Sequence, residues 1–288
     1  MINWQRVTLP LFTYAEFSLK DPALVFADGW FHLVCSVFAD DNTCRLGSWR
    51  SRNLATWEGP EWLWGEGASG YCSPDIIQCN DQYIMTFQSW DAIHPRQSRN
   101  QLFYASSADA VNWTAPRPLA ANLTTDLRAI DPALAYDDGH WRLLYKAAQE
   151  PRLATAPALD GPWTALPAPA FGWAENGQFV RIDNCWHLLA TITDHQQALA
   201  ALSGLAGDGQ GVQDWSQWGP WKECRTPLRS GFNSALPANA SALWDGREFD
   251  GYWYRVFCAA DIPPRGNRDY QLGIARSRDL VTWELPPG

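Results

Sequence analysis

Long apolar runs are missing from this sequence. No stretch approaches 18 consecutive apolar residues, so no helix is expected to cross a membrane. The start, MINWQRVTLPLF, has no basic opening followed by a long apolar stretch, so no secretory signal is expected there. Charge is sparse: Asp, Glu, Lys and Arg are only 18% of 288 residues, and their balance is acidic, with a formal net charge of −9 and a pI near 5.0. An acidic surface repels a phosphate backbone, which argues against nucleic acid as a partner. The seven cysteines (35, 44, 72, 79, 185, 224, 258) are odd in number and scattered. They form no CxxC motif or Cys/His cluster of the kind that holds zinc, so free thiols in a reducing cytoplasm are expected. Sustained helical periodicity is also missing, which argues against an α-rich fold.

Aromatic and apolar residues are plentiful instead. Apolar residues make up 46% of the chain, enough for a sizeable core, and 18 residues are Trp, which suits repeated aromatic packing or sugar stacking. The chain repeats itself. DPALVFADGWFHLV (21–34) and DPALAYDDGHWRLLYK (131–146) share one layout, a leading acid, a strand, a polar turn and an aromatic-rich return strand. SPDIIQCNDQYIMTFQSW (73–90) has it around Asp75, ENGQFVRIDNCWHLLAT (175–191) has it with Glu175, and NASALWDGREFDGYWYRVF (239–257) is a weaker fifth copy opening on Asn239. A third strand and a tail ending in Trp follow each hairpin. Leu46 to Trp57, Leu102 to Trp113 and Leu272 to Trp283 are each 11 residues apart, and Leu153 to Trp163 is 10. The fourth unit, 199–221, carries a Gly-rich insertion.

The leading acids are 54, 56 and 44 residues apart. Units of roughly 40–50 residues with about four short antiparallel strands are the signature of propeller blades. Five units predict an all-β, five-bladed propeller with four strands per blade, one domain over 1–288. The segment 6–11 is expected to complete the last blade, since the chain ends just after Trp283.

Antiparallel pairing places the site. A first strand starts where its partner ends, so Asp21, Asp75, Asp131, Glu175 and Asn239 are expected on one face, with the second-strand ends Phe38, Trp90, Lys146, Thr193 and Phe257. Trp57, Trp113, Trp163 and Trp283 are expected between blades, whereas Trp90 and Trp173 flank the acidic face and are candidates to stack on a substrate. Alone, Asp21 and Asp131 could simply cap strand starts before Pro; gathered with Glu175 at an axis, they point to chemistry.

These motifs resemble glycoside hydrolase family 43 and its relatives: DP in unit one, PD in unit two, IDP in unit three and a Glu opening unit four, over nearly the whole chain. The resemblance implies a five-bladed propeller acting on arabinose, xylose or galactose linkages. It implies Asp21 as the general base that activates water, Glu175 as the general acid, and Asp131 as the group that orients the acid and keeps its pKa raised. The chemistry agrees: glycoside hydrolysis needs one carboxylate ionised and one protonated, about 6.5–9.5 Å apart in an inverting enzyme, and a neighbouring carboxylate helps hold a proton. Two departures stand out. Unit four reads ENG where relatives more often have Glu, a small residue and Pro, and unit five lacks an early His of the kind that helps hold a central metal ion in several relatives. No cofactor or obligatory metal is therefore expected. His32, His140 and His187 are expected to pack, while His94 and His195 are candidates to touch sugar.

A carbohydrate partner is expected, with Asp75, Trp90, Lys146, Trp173, Asn239 and Arg255 as substrate-binding candidates. Trp90, Arg96, Lys146 and Arg255 are expected to set the choice of sugar. Lys146 suits a negatively charged or hydroxyl-rich substrate, or is simply an exposed strand-end lysine. In a cytoplasmic protein a short imported oligosaccharide is the expected substrate. Two other readings stay open. One is a retaining fructosidase of the family 32 type, whose Asn-Asp-Pro, Arg-Asp-Pro and Glu-Cys signatures fail here at Lys20, Ile130 and Asn176, with Arg128 three residues before Asp131. The other is a catalytically silent, glycan-binding propeller.

Overall fold

The computed structural model describes residues 2–65, 70–90, 100–192, 196–203 and 214–287. Thr193, His94, His195 and Arg96 lie outside them. The strands form five sheets, each running outward in chain order. The first holds β1 (Phe17–Ala27), β2 (Trp30–Ala39), β3 (Cys44–Ser51) and β4 (Glu58–Trp62); the second β5 (Tyr71–Cys79), β6 (Gln82–Ser89), β7 (Leu102–Ser107) and β8 (Arg117–Pro118). The third holds β9 (Ala129–Asp137), β10 (His140–Ala147), β11 (Glu150–Ala156) and β12 (Thr164–Ala165); the fourth β13 (Glu175–Ile182), β14 (Cys185–Ile192), β15 (Gln196–Ala201) and β16 (Lys222–Glu223). The fifth has β17 (Leu236–Gly246), β18 (Tyr252–Ala260) and β19 (Gln271–Ser277). The inner strands β1, β5, β9, β13 and β17 touch in a closed circle. This is a five-bladed β-propeller. No helix among the described residues is long and apolar enough to cross a membrane.

Local chemistry explains the hairpins. Asp28-Gly29, Asp138-Gly139 and Asp183-Asn184 turn with both residues at positive φ, between 48° and 79°, the two-residue turn that matches strand twist and favours Asp, Asn and Gly. The Trp interval has a similar origin. Asp109 Oδ1 accepts the N–H groups of Val111 and Asn112, Asp279 Oδ1 those of Val281 and Thr282, and Asn53 Oδ1 those of Ala55 and Thr56. Each turn then delivers its tryptophan, Trp113, Trp283 or Trp57, back against the sheets. Trp163 and Trp283 are buried between blades, and Trp57 and Trp113 are half-buried.

The fifth blade departs from the four-strand expectation. Residues 4–6 form a single 3-10 turn rather than a strand. The outer edge of β19 is met by Leu11 N–H on Leu272 O, 2.9 Å, and by paired backbone bonds between Arg276 and Glu284. Both ends of the chain therefore share this edge.

Gly273 in β19 is required by close packing. A Cβ there would lie 2.1 Å from Cζ of Phe232, itself 1% exposed. Gly273→Ala is expected to cost about 1–3 kcal/mol, measurable as a lower urea midpoint at unchanged m-value.

Candidate active site

The inner strands share one irregularity near their starts. In the first sheet Lys20 pairs with Ser36 and Ala23 with Val34, three steps against two. The same extra residue falls between 72 and 75, 130 and 133, 175 and 178, and 239 and 242. Such a bulge re-aims side chains and is common beside active sites. Asp21, Ser73, Asp131, Asn176 and Ala240 follow the last regular pair, with φ of 50°, 52°, 54°, 49° and 39°. These five are the structurally equivalent positions. Asp75 therefore lies two residues past the bulge position, and Glu175 one before it, level with Lys20.

Braces from three of the second strands fix the ring. Ser36 Oγ accepts Ser73 N–H at 2.7 Å, Gln88 Oε1 accepts Asp131 N–H, and Thr191 Oγ1 accepts Ala240 N–H at 3.0 Å. Lys146 occupies the third brace position and has no lone pair to offer a backbone N–H when charged. It donates instead to Oε2 of Glu175 and lies 3.9 Å from Oδ2 of Asp131.

Asp21, Asp131, Glu175, Trp90, Lys146 and Trp173 converge on one cleft of about 310 Å³. Asp21 is held from three sides: Oδ2 accepts Ser36 Oγ (3.0 Å) and Ser73 Oγ (3.3 Å), and Oδ1 accepts Asn176 Nδ2 (3.2 Å). Asp131 is 9% exposed, and burial together with the Glu175 carboxylate pushes it up to about 7 against the pull of Lys146. At neutral pH a proton is thus available on Asp131, while Glu175 rests in an ion pair. Trp90 stands edge-on to Phe38, ring centroids 5.6 Å apart, and the Trp173 ring centroid lies 5.0 Å from Lys146 Nζ.

Lys146 is 5% exposed, which corrects the solvent-exposed reading of this strand end. Three other substrate-binding candidates lie off the cleft. Asp75 is buried beside a small axial cavity of about 20 Å³. Asn239 Oδ1 accepts Thr191 Oγ1 at 2.6 Å, joining the fourth and fifth blades. Arg255 is 0% exposed; its guanidinium lies 4.4 Å from the Trp283 ring centroid and donates to Thr226 Oγ1. It packs between blades, and burial pulls it down to about 10. Phe257 is likewise buried, away from the cleft. His32 is buried, His187 half-buried and His140 exposed.

The cleft also contains residues that sequence reasoning did not place in it: Lys20, Ser73, Gln88, Arg128, Asn176 and Asn267. The signal for Lys20 and Asn176 was adjacency to an acid; Gln88 and Asn267 had none. Among the described residues no group of three His, Cys, Asp or Glu side chains is placed to hold a metal ion. The acids are instead interleaved with ammonium groups.

Asp75 gives a pH-dependent prediction. Burial pushes it up to about 7 from its usual 3.8, and its Oδ2 has no partner among the described residues. The folded state binds this proton more tightly than the unfolded one. The stability tied to that proton is therefore whole below about pH 4 and is lost as pH rises through about 7. Asp75→Asn is expected to stabilise the fold by on the order of 2–4 kcal/mol at pH 8 and by little at pH 4, read from urea titrations at both pH values.

Solved structures of known function share this architecture. An exo-1,5-alpha-L-arabinanase from a bovine ruminal metagenomic library matches with 15% identity and a TM-score of 0.62, over 92% of this chain and 95% of that one. A thermostable family-43 glycoside hydrolase matches with 14% identity and a TM-score of 0.66, over 98% and 97%. The fold is that of the family 43 glycoside hydrolases. It is shared more widely: a structure described under the GH130 family of mannoside phosphorylases, which contains glycoside hydrolases, matches with 14% identity and a TM-score of 0.66, over 94% and 88%. No family model matches the sequence. No curated protein matches it.

Proposed function

We propose that the protein is a glycoside hydrolase that cleaves terminal or short-oligosaccharide bonds of the arabinofuranoside, xyloside or galactoside type with inversion. The observation that carries this is the convergence of Asp21, Asp131 and Glu175 in one cleft beside Trp90 and Trp173. Asp21, oriented by Ser36, Ser73 and Asn176, is the general base for water. Glu175 is the general acid, and Asp131 keeps a proton in the acid half of the site. Lys146 must release Glu175 before the acid can be protonated; sugar hydroxyls in the cleft supply alternative acceptors for its ammonium. The fold shared with a family 43 hydrolase and an arabinanase supports the sugar class.

A panel of nitrophenyl arabinofuranoside, xyloside, galactofuranoside and fructoside tests the activity, and NMR of the first-formed anomer tests the mechanism. A retained anomer would make Asp21 a nucleophile and replace the inverting scheme. The Lys146–Glu175 pair favours one second reading, a propeller that binds one glycan at its axis without cleaving it. Stoichiometric sugar binding with no turnover on any panel member would establish that reading instead.

A further inference from the structure

The charge of the cleft is unusual for a site built on three carboxylates. Lys20, Arg128 and Lys146 line it as well, so cations match acids three to three. Burial drags the Lys20 ammonium down, yet the charges of Asp21 and Tyr270 outweigh this and leave it raised, so it stays charged. Asp131, pushed up to about 7, is partly neutral near pH 7. The balance of the cleft is therefore neutral to positive, although the whole chain carries −9.

The cations are also incompletely matched. Of the three, only Lys146 has a carboxylate within 4.0 Å among the described residues. Lys20 Nζ donates to Asn267 Oδ1 at 3.0 Å and faces the Tyr270 ring at 4.7 Å. Arg128, half-buried just before β9, makes no hydrogen bond or ion pair with any described residue. Lys146 adds a second sign: it fills a position that three other blades give to a neutral group accepting a backbone N–H. A guanidinium whose fork of donors meets no partner among the described residues is suited to an oxyanion, which it binds through two parallel charge-assisted bonds.

We propose that the cleft contains an oxyanion subsite, with Arg128 as its principal ligand and Lys146 and Lys20 as supporting charges, and that it takes a carboxylate or phosphate group. This rests on the glycoside reading of the same cleft and narrows it to acidic glycosides, or to a sugar transfer in which free phosphate is the acceptor. In the second case a phosphate oxygen bonds to the anomeric carbon as the glycosidic C–O bond breaks. The leaving oxygen takes the acid's proton, giving a sugar 1-phosphate and an alcohol.

Binding tests this without turnover, so failure of the glycosidase reading is separable. Calorimetric titration of the intact protein with inorganic phosphate, glucuronate and, as the neutral control, glucose is expected to show phosphate and glucuronate competing for one site. Arg128→Gln is expected to weaken both anions on the order of 10–100-fold, with glucose changed less than about twofold, and Arg128→Lys to restore part of the loss. Since Arg128 holds nothing else among the described residues, its melting temperature should not move. No competition between the two anions, no binding of either at tens of millimolar, or an equal loss for glucose overturns the subsite. Sugar 1-phosphate formed from an aryl glycoside in phosphate buffer identifies phosphate as the source of the anion. Faster cleavage of an aryl glucuronide than of its glucoside identifies the substrate's own carboxylate.

Discussion

Glu175→Gln is expected to lower turnover of an alkyl or unactivated aryl glycoside about 10²–10⁴-fold. Gln keeps the size and removes the transferable proton. It also releases Lys146, whose only other carboxylate within 4.0 Å among the described residues is Asp131. The loss should shrink sharply for a dinitrophenyl glycoside, whose leaving group departs without protonation. A plot of log kcat against leaving-group pKa should therefore steepen in the variant. Equal loss for all leaving groups would mean that Glu175 binds sugar and does not donate. Unchanged turnover of an unactivated substrate would remove Glu175 from the chemistry.

Asp21→Asn is expected to cost about as much, on the order of 10²–10⁴-fold, but independently of the leaving group, because attack by water is impaired in every case. The substitution is nearly isosteric, yet its effect on the site is specific. Asp21 accepts three side-chain hydrogen bonds, from Ser36, Ser73 and Asn176. An amide accepts through one oxygen only, so its NH₂ must face a donor unless the serine hydroxyls rotate. If binding of a substrate analogue by Asp21→Asn is preserved within a few-fold while turnover collapses, the base role stands. Equal loss of binding and turnover would assign Asp21 to positioning. Azide rescue with formation of a glycosyl azide of opposite anomeric configuration would locate attack on the face that Asp21 serves.

The blades were legible because their signals are local. Asp-Gly turns need left-handed residues, and the Ser-x-Asp turns before Trp113 and Trp283 repeat at a fixed interval. Asp21 and Asp131 were legible because Asp-Pro marks the bulge twice in the same register. The rest of the ring was not, because one extra residue shifts the face to which a side chain points. Aligning by acidity set Asp75 opposite Asp21, whereas Ser73 holds that position and Asp75 lies two residues further along, beside the small axial cavity. Strand-end reasoning likewise put Arg255 on the acidic face. The pleat turns it between blades, onto Trp283. Lys20 was hidden by a different cause: its partners Asn267 and Tyr270 come from the far end of the chain, closed onto β1 by the ring.

The five left-handed bulge positions have the same backbone and hold Asp, Ser, Asp, Asn and Ala. Around this axis the scaffold is nearly symmetric and the chemistry is not. A reacting bond needs unlike groups on its two sides, and a ring of identical sockets supplies them simply by varying what each socket carries. The empty one is Ala240, a methyl in a conformation that Asn and Asp adopt more readily than Ala. The wheel is common to all five blades, and the fifth socket, 1% exposed and held through its N–H by Thr191, is the one that carries no polar group.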